Sequence, residues 1–211
     1  MESYHNKKTL FLAQFSLLLA IEAIVCFTTL GSLPIGPIVA TLSHIPVIIT
    51  AIMLGTKAGA AMGFFFGLFS FIVWTFVPPS PIAFVFTPFY SLGQFQGNFW
   101  SLVICFVPRI LIGVVTGGVY NALVKRSRVL AHVLSGVLGT LVNTFLVLGG
   151  IYVFFGQSYA SAIGAEYSVL LNLIGMAVLT NGVPEAILGG FVALAVGMPL
   201  RQFVRRSIGA D

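Results

Sequence analysis

WSLVICFVPRILIGVVTGGVYNALV, residues 100–124, decides the fold. Arg109 is its only charged residue, and a helix of this length, at about 1.5 Å per residue, outreaches the ~30 Å hydrocarbon core of a bilayer. The run reads as a transmembrane helix with one charge inside it. Composition extends that reading to all 211 residues: 58% are hydrophobic and 7% charged, against roughly 25% charged in soluble domains. Mean hydropathy is +1.07. Too few charges exist to cover a water-soluble surface, so the chain is an integral membrane protein. Beside six spans no room remains for a soluble catalytic domain of roughly 100 residues. A net charge of +5 would suggest nucleic acid in a soluble protein. Here the basic residues flank apolar runs and act as topology signals, so no nucleic-acid partner is expected.

Five more apolar runs flank this one: 9–30, 38–54, 58–77, 129–155 and 169–200. The expected fold is all-α, a single membrane domain (1–211) of six transmembrane helices. The second run is short and holds Pro46, which suggests a kinked or incomplete span. Lys7, Lys8, Lys57, Lys125, Arg126, Arg128, Arg201, Arg205 and Arg206 all lie on one side of this arrangement. The other connections (31–37, 78–99 and 156–168) hold no Lys or Arg. The positive-inside rule then places both termini in the cytoplasm and the long 78–99 loop outside, as a lid. Gly55, Gly59, Gly63 and Gly67, and again Gly113 and Gly117, recur every four residues. Such stripes let helices approach closely, within the bundle or against a partner. Phe64, Phe65 and Phe66 read as lipid-facing bulk. Cys26 and Cys105 lack metal or redox spacing and read as packing residues.

Polar groups within spans are costly and therefore candidates for function. Counted from the outer helix ends at about 1.5 Å per residue, Glu22, His44, Arg109, Asn143 and Asn181 lie between about 10 and 18 Å deep, one layer drawn from five helices. A solute pocket is expected there, beneath a lid carrying Tyr90, Gln96 and Asn98 and flanked by Trp74. The candidate binding set is Arg109, Asn143, Asn181, His44, Trp74, Tyr90, Gln96, Asn98 and Tyr152. Arg109 either pairs with Glu22 or clamps a ligand carboxylate, for which its planar fork of donors is suited. Glu185, deeper, is expected to meet His132 or a partner subunit. His44 has a plainer role available, bonding a carbonyl freed by Pro46. The chain has no GxSxG, HExxH or Walker lysine motif and its three histidines lie at different depths, so neither an enzyme nor a metal or cofactor site is expected. A channel would need a polar stripe through both leaflets, and the inner halves of the helices are too apolar for one.

GPIVATLSHIPVIITAIMLGTKAGAAMGFFFGLFS (36–70), FWSLVICFVPRILIGVV (99–115), GTLVNTFLVLGGIYVFFG (139–156) and TNGVPEAILGG (180–190) resemble the substrate-binding S components of energy-coupling factor vitamin transporters. The resemblance runs from Phe11 to Arg205 and is strongest to the pantothenate-specific branch. It implies a multi-pass protein of the bacterial plasma membrane that binds a vitamin from outside and docks on a transmembrane coupling protein carrying two ATPase subunits. Folate and riboflavin are the other vitamins considered, and a small ion-coupled carrier or a channel the other class. The family's docking pattern on the first helix, Ala-xxx-Ala, is met here by Ser16 and Ala20 with Ala13 nearby.

The charge asymmetry generates a test. With Cys26 and Cys105 replaced by Ala, a cysteine at Gln96 is expected to react with impermeant maleimide from outside intact cells and one at Ser127 only after lysis. The opposite pattern reverses the orientation.

Overall fold

The computed structural model describes residues 2–28, 31–35 and 38–207. Leu30, Gly36 and Pro37 lie outside it, as do the side chains of His5, Lys7, Arg205 and Arg206. Helix α1 (Glu2–Phe27) leads into an antiparallel hairpin, β1 (Ser32–Ile35) with β2 (Ile38–Thr41), Ser32 opposite Thr41. A short α2 (Ile45–Leu54) turns at Gly55 into α3 (Thr56–Phe76). A 3-10 turn (Pro81–Val85) and a second small hairpin, β3 (Ser91–Leu92) with β4 (Phe95–Gln96), precede α4 (Phe99–Leu123) and the long α5 (Arg128–Ala162). The last helical stretch is α6 (Tyr167–Ala177), α7 (Val183–Val192) and α8 (Met198–Ser207), joined through π turns at Val178–Gly182 and Ala193–Gly197.

Five of these helical stretches are long and apolar enough to cross a membrane; the apolar Ile45–Leu54 is shorter. The second run, 38–54, is therefore not one continuous helix. Its first part is strand, and Pro46 sits at the start of α2, where its fixed φ suits a helix's first turn, rather than kinking a span. At about 1.5 Å per residue α2 reaches roughly halfway through the hydrocarbon. Gly55 takes φ +96°, left-handed backbone that lets the chain reverse directly into α3.

The bundle is assembled on its glycines. A Cβ on Gly113 of α4 would strike the backbone of Gly59 on α3, and one on Gly63 would strike the carbonyl of Arg109. At Gly67 the obstacle is the Phe106 ring, 2.9 Å away. The stripe on α3 is thus an internal seam with α4. The α5 seams follow the same rule: Gly139 meets Thr116 and Gly150 meets Ile104 of α4, while Gly136 meets Gly189 and Gly182 meets Thr144 on the α7 side.

Two apolar cores result. One gathers Val47, Ile48, Ile52, Met62, Phe66, Ile112 and Tyr120; the other joins the 78–99 loop, through Phe84, Val85 and Phe86, to Ile104, Ile151 and Phe155. The loop is accordingly a packed plug. Ser101 Oγ donates to the Phe84 carbonyl at 2.7 Å, and the Thr75 and Thr87 hydroxyls bond at 2.8 Å. At the opposite end Asn121 Nδ2 donates to Thr56 Oγ1 at 3.3 Å, beside Lys57, and the Arg201 guanidinium lies 4.5 Å over the Tyr120 ring. The described basic connections therefore gather at the end away from the plug.

Paired substitutions test the seam. Gly113→Ala must push α3 and α4 apart and is expected to cost about 1–3 kcal/mol, seen as a lower Tm in detergent. Gly118→Ala, next to nothing within 4 Å, is expected to leave Tm unchanged or raise it, since Ala is the better helix former.

Candidate substrate-binding site

Pro108 lies inside α4 and has no N–H to offer the carbonyl of Ile104 four residues back. Arg109 fills that gap: its Nη1 donates to the Ile104 carbonyl at 2.8 Å, which folds the guanidinium back along its own helix. There it sits between the rings of Phe66 (5.6 Å) on α3 and Phe86 (5.4 Å) in the plug, and the residue is only 7% exposed. Cation–π contact of this kind recovers part of the cost of desolvation. Arg109 Nε has no hydrogen-bond partner. The expected alternative, an ion pair with Glu22, is not formed: among the described residues no carboxylate reaches Arg109, and Glu22 instead accepts from Cys26 Sγ at 3.2 Å. Phe66, expected to face lipid with Phe64 and Phe65, is 4% exposed because it packs beneath this guanidinium, while Phe64 is 46% exposed.

Asn143 and Asn181 come together. With Thr144, Val147, Leu148, Ala177, Gly182 and Glu185 they line a cavity of about 150 Å³ between α5 and the last helical stretch. Asn181 lies in the Val178–Gly182 π turn, where the extra residue disturbs the i→i−4 ladder; such bulges recur at functional sites. The register explains the grouping and corrects the position expected for Glu185. Gly182 meets Thr144 and Gly189 meets Thr140, so Glu185 falls between them, well away from His132. His132 instead bonds the Arg128 carbonyl through Nδ1 at 2.6 Å and meets Tyr120 edge-on. Between the α4–α5 contacts at Gly139–Thr116 and Gly150–Ile104, Arg109 lies level with the turn that follows Asn143. The Asn143 Oδ1 is buried without a partner.

The other candidates are dispersed. His44 is buried (2% exposed) at the start of α2. Trp74 turns inward onto Phe86, ring centroids 4.6 Å apart, and Tyr90 packs against the plug's core. Gln96 is exposed on β4. Asn98 caps α4: its Oδ1 accepts from Trp100 N at 2.8 Å, and Ser101 Oγ returns a bond from Asn98 N. Tyr152 stacks on Tyr167 at 5.8 Å and lines a different cavity, about 340 Å³, with Gln157 and Ser158. From the sequence Phe66 read as lipid-facing bulk and Glu185 as a neighbour of His132 or a partner subunit, and Phe86 was not singled out; no sequence signal placed them at this site. Ala13, Ser16 and Ala20 share an exposed stripe of α1 with Leu17 and Ile24.

A multi-pass helical bundle whose buried cation and asparagine-lined cavity lie under a packed plug has the form of a membrane carrier's binding subunit. Residues 10–201 match the family described as "ECF transporter, substrate-specific component", and the chain belongs to that family. It is a transport component of the cell membrane and not an enzyme. The chain is 38% identical over 161 residues, 76% of each sequence, to the pantothenic acid transporter PanT of Lactococcus lactis subsp. cremoris. It is 30% identical over 213 aligned positions to the pantothenate transporter PanT of Leuconostoc mesenteroides subsp. mesenteroides, covering 96% of this chain and 97% of that one.

Asn98 and Asn143 separate by role. Asn98→Ala removes a satisfied cap and is expected to cost about 0.5–2 kcal/mol of stability with ligand affinity unchanged. Asn143→Ala is expected to lower affinity with little change in Tm. Thermal melts and ligand titration on both variants make the comparison.

Proposed function

We propose that this chain is the pantothenate-binding S component of an ATP-driven importer. The carrying observation is Arg109, a buried guanidinium with an unused donor and no carboxylate partner among the described residues. Such a group in a membrane bundle is stable only if an anion completes it, and a carboxylate offers two oxygens to its fork. Pantothenate has that carboxylate, and its amide and hydroxyls match the amide side chains of Asn143 and Asn181 one turn away. The plug at 78–99, with Trp74, Tyr90 and Gln96, closes over the ligand.

In this reading the chain crosses the membrane six times, counting the short α2, with both termini and all basic connections in the cytoplasm and the plug outside. Energy comes from elsewhere. No phosphate-binding loop is present in the sequence, so a transmembrane coupling protein with two ATPase subunits supplies ATP hydrolysis. The exposed small-residue stripe Ala13, Ser16 and Ala20 is where that protein docks.

Mass spectrometry of the small molecule that copurifies is expected to find pantothenate at about one per chain. Arg109→Ala strands the ligand's carboxylate, at a cost on the order of 2–5 kcal/mol, or roughly 30-fold to several thousand-fold in affinity. Arg109→Lys recovers part of this, since an ammonium lacks the fork. Unchanged pantothenate affinity in Arg109→Ala, with the protein folded, removes the basis of the proposal.

A further inference from the structure

Helix α1 is turned inside out relative to a helix in water. Leu12, Leu17 and Ile24 are each more than half exposed, and among its described side chains only Glu22 is buried, at 0% exposure. Its Oε1 accepts a weak bond from Cys26 Sγ at 3.2 Å; its Oε2 has no partner among the described residues. A thiol is a poor donor, and leaving a buried carboxyl oxygen bare is costly. That cost is unexplained by packing, since an apolar residue at position 22 would fill the same space without it.

Its neighbours say what faces it. Leu18, Leu19 and Cys26 pack against the core that contains Phe66, the ring under the Arg109 guanidinium. Glu22 and Arg109 therefore border the same interior without touching. They differ in hydrogen-bonding terms: a guanidinium has five donors and no acceptor, whereas a carboxyl group offers acceptor oxygens in either protonation state. A molecule lying between them must present an acceptor anion at one end and donors at the other.

We infer that Glu22 is the second pole of the binding site, a specificity-determining residue whose carboxylate accepts hydrogen bonds from the ligand's hydroxyl groups while Arg109 holds its carboxylate. This rests on the reading of Arg109 given above. A site built around a ligand hydroxyl rejects the analogue lacking it, because the buried acceptor is then left unpaired. Glu22 thus selects a hydroxylated acid over a plain acyl amino acid of the same shape.

The test titrates wild type, Glu22→Gln and Glu22→Leu in detergent with pantothenate and with the analogue in which both hydroxyls are replaced by hydrogen. Wild type is expected to bind the analogue about 10- to 100-fold more weakly. The penalty should shrink in Glu22→Gln, which keeps the shape and one acceptor, and shrink further in Glu22→Leu. A penalty as large in Glu22→Gln as in wild type overturns the inference, and that variant alone decides if Glu22→Leu does not fold. Equal weakening of both ligands overturns it too, because it marks Glu22 as purely structural. Panthenol, in which the carboxylate becomes an alcohol, separates this from the reading it rests on: equal wild-type affinity for panthenol and pantothenate removes the role of Arg109, whatever Glu22 does.

Discussion

A guanidinium taken out of water into a helical bundle costs several kcal/mol unless it is paired, and the architecture around Arg109 is organised by that constraint. Part of the compensation is local. Pro108 frees the Ile104 carbonyl and Arg109 takes it at 2.8 Å, so a defect in the helix ladder becomes a ligand for the cation. Two aromatic faces add to it, Phe66 from α3 and Phe86 from the plug. Neither contact supplies a counter-charge.

Holding those rings in place requires the helices to be close, which is why the glycines matter. Gly63 has no side chain where the Arg109 backbone carbonyl passes, and Gly113 none where Gly59 passes. Any larger residue would lift α4 off α3 and carry the guanidinium away from Phe66. The plug depends on the same seam from the other direction. Its 3-10 turn buries Phe84 and Val85 completely and is tied down by Ser101 on the first turn of α4. One hydroxyl thus serves both the helix cap and the loop, so the register of α4 also sets the height of the plug.

Much of this was legible in the sequence because the membrane simplifies the code: long apolar runs, basic residues flanking them, and a charge where none is tolerated. The long helices, the membrane class, the glycine stripes and Arg109 were found that way. What escaped depended on tertiary register. The run 38–54 is apolar overall, and the short polar dip at Thr41, Ser43 and His44 does not by itself distinguish a strand followed by a ten-residue helix from one span; the proline marked a helix start that reads equally as a kink. Matched depth suggested an Arg109–Glu22 pair, but depth carries no information about the direction in which a helix presents a side chain. Glu185 was assigned to His132 or a partner subunit on the same one-dimensional measure, and the α5–α7 glycine contacts place it at the asparagine cavity, away from His132. Asn98 looked like a lid ligand because a polar loop residue next to a helix has two uses, and the structure assigns it the cap.

Residues that stabilise the fold and residues that await something else can be separated by whether their polar atoms are satisfied. The caps of α4 and α5, the plug's carbonyl and the threonines on their own helices all have partners. Glu22 Oε2, Arg109 Nε and Asn143 Oδ1 do not. His132 Nε2 also lacks one, but it lies at the basic end beside Tyr120, away from the plug. Native proteins leave few buried polar atoms bare, and each calls for an explanation. Three such atoms on α1, α4 and α5, an acceptor, a donor and an acceptor, share the plug-side half of one bundle. A fold optimised for its own stability would have replaced them with apolar groups at no loss. Their retention places part of the protein's bonding capacity in the ligand, so that filling the site satisfies the fold and chemistry of the wrong pattern leaves it strained.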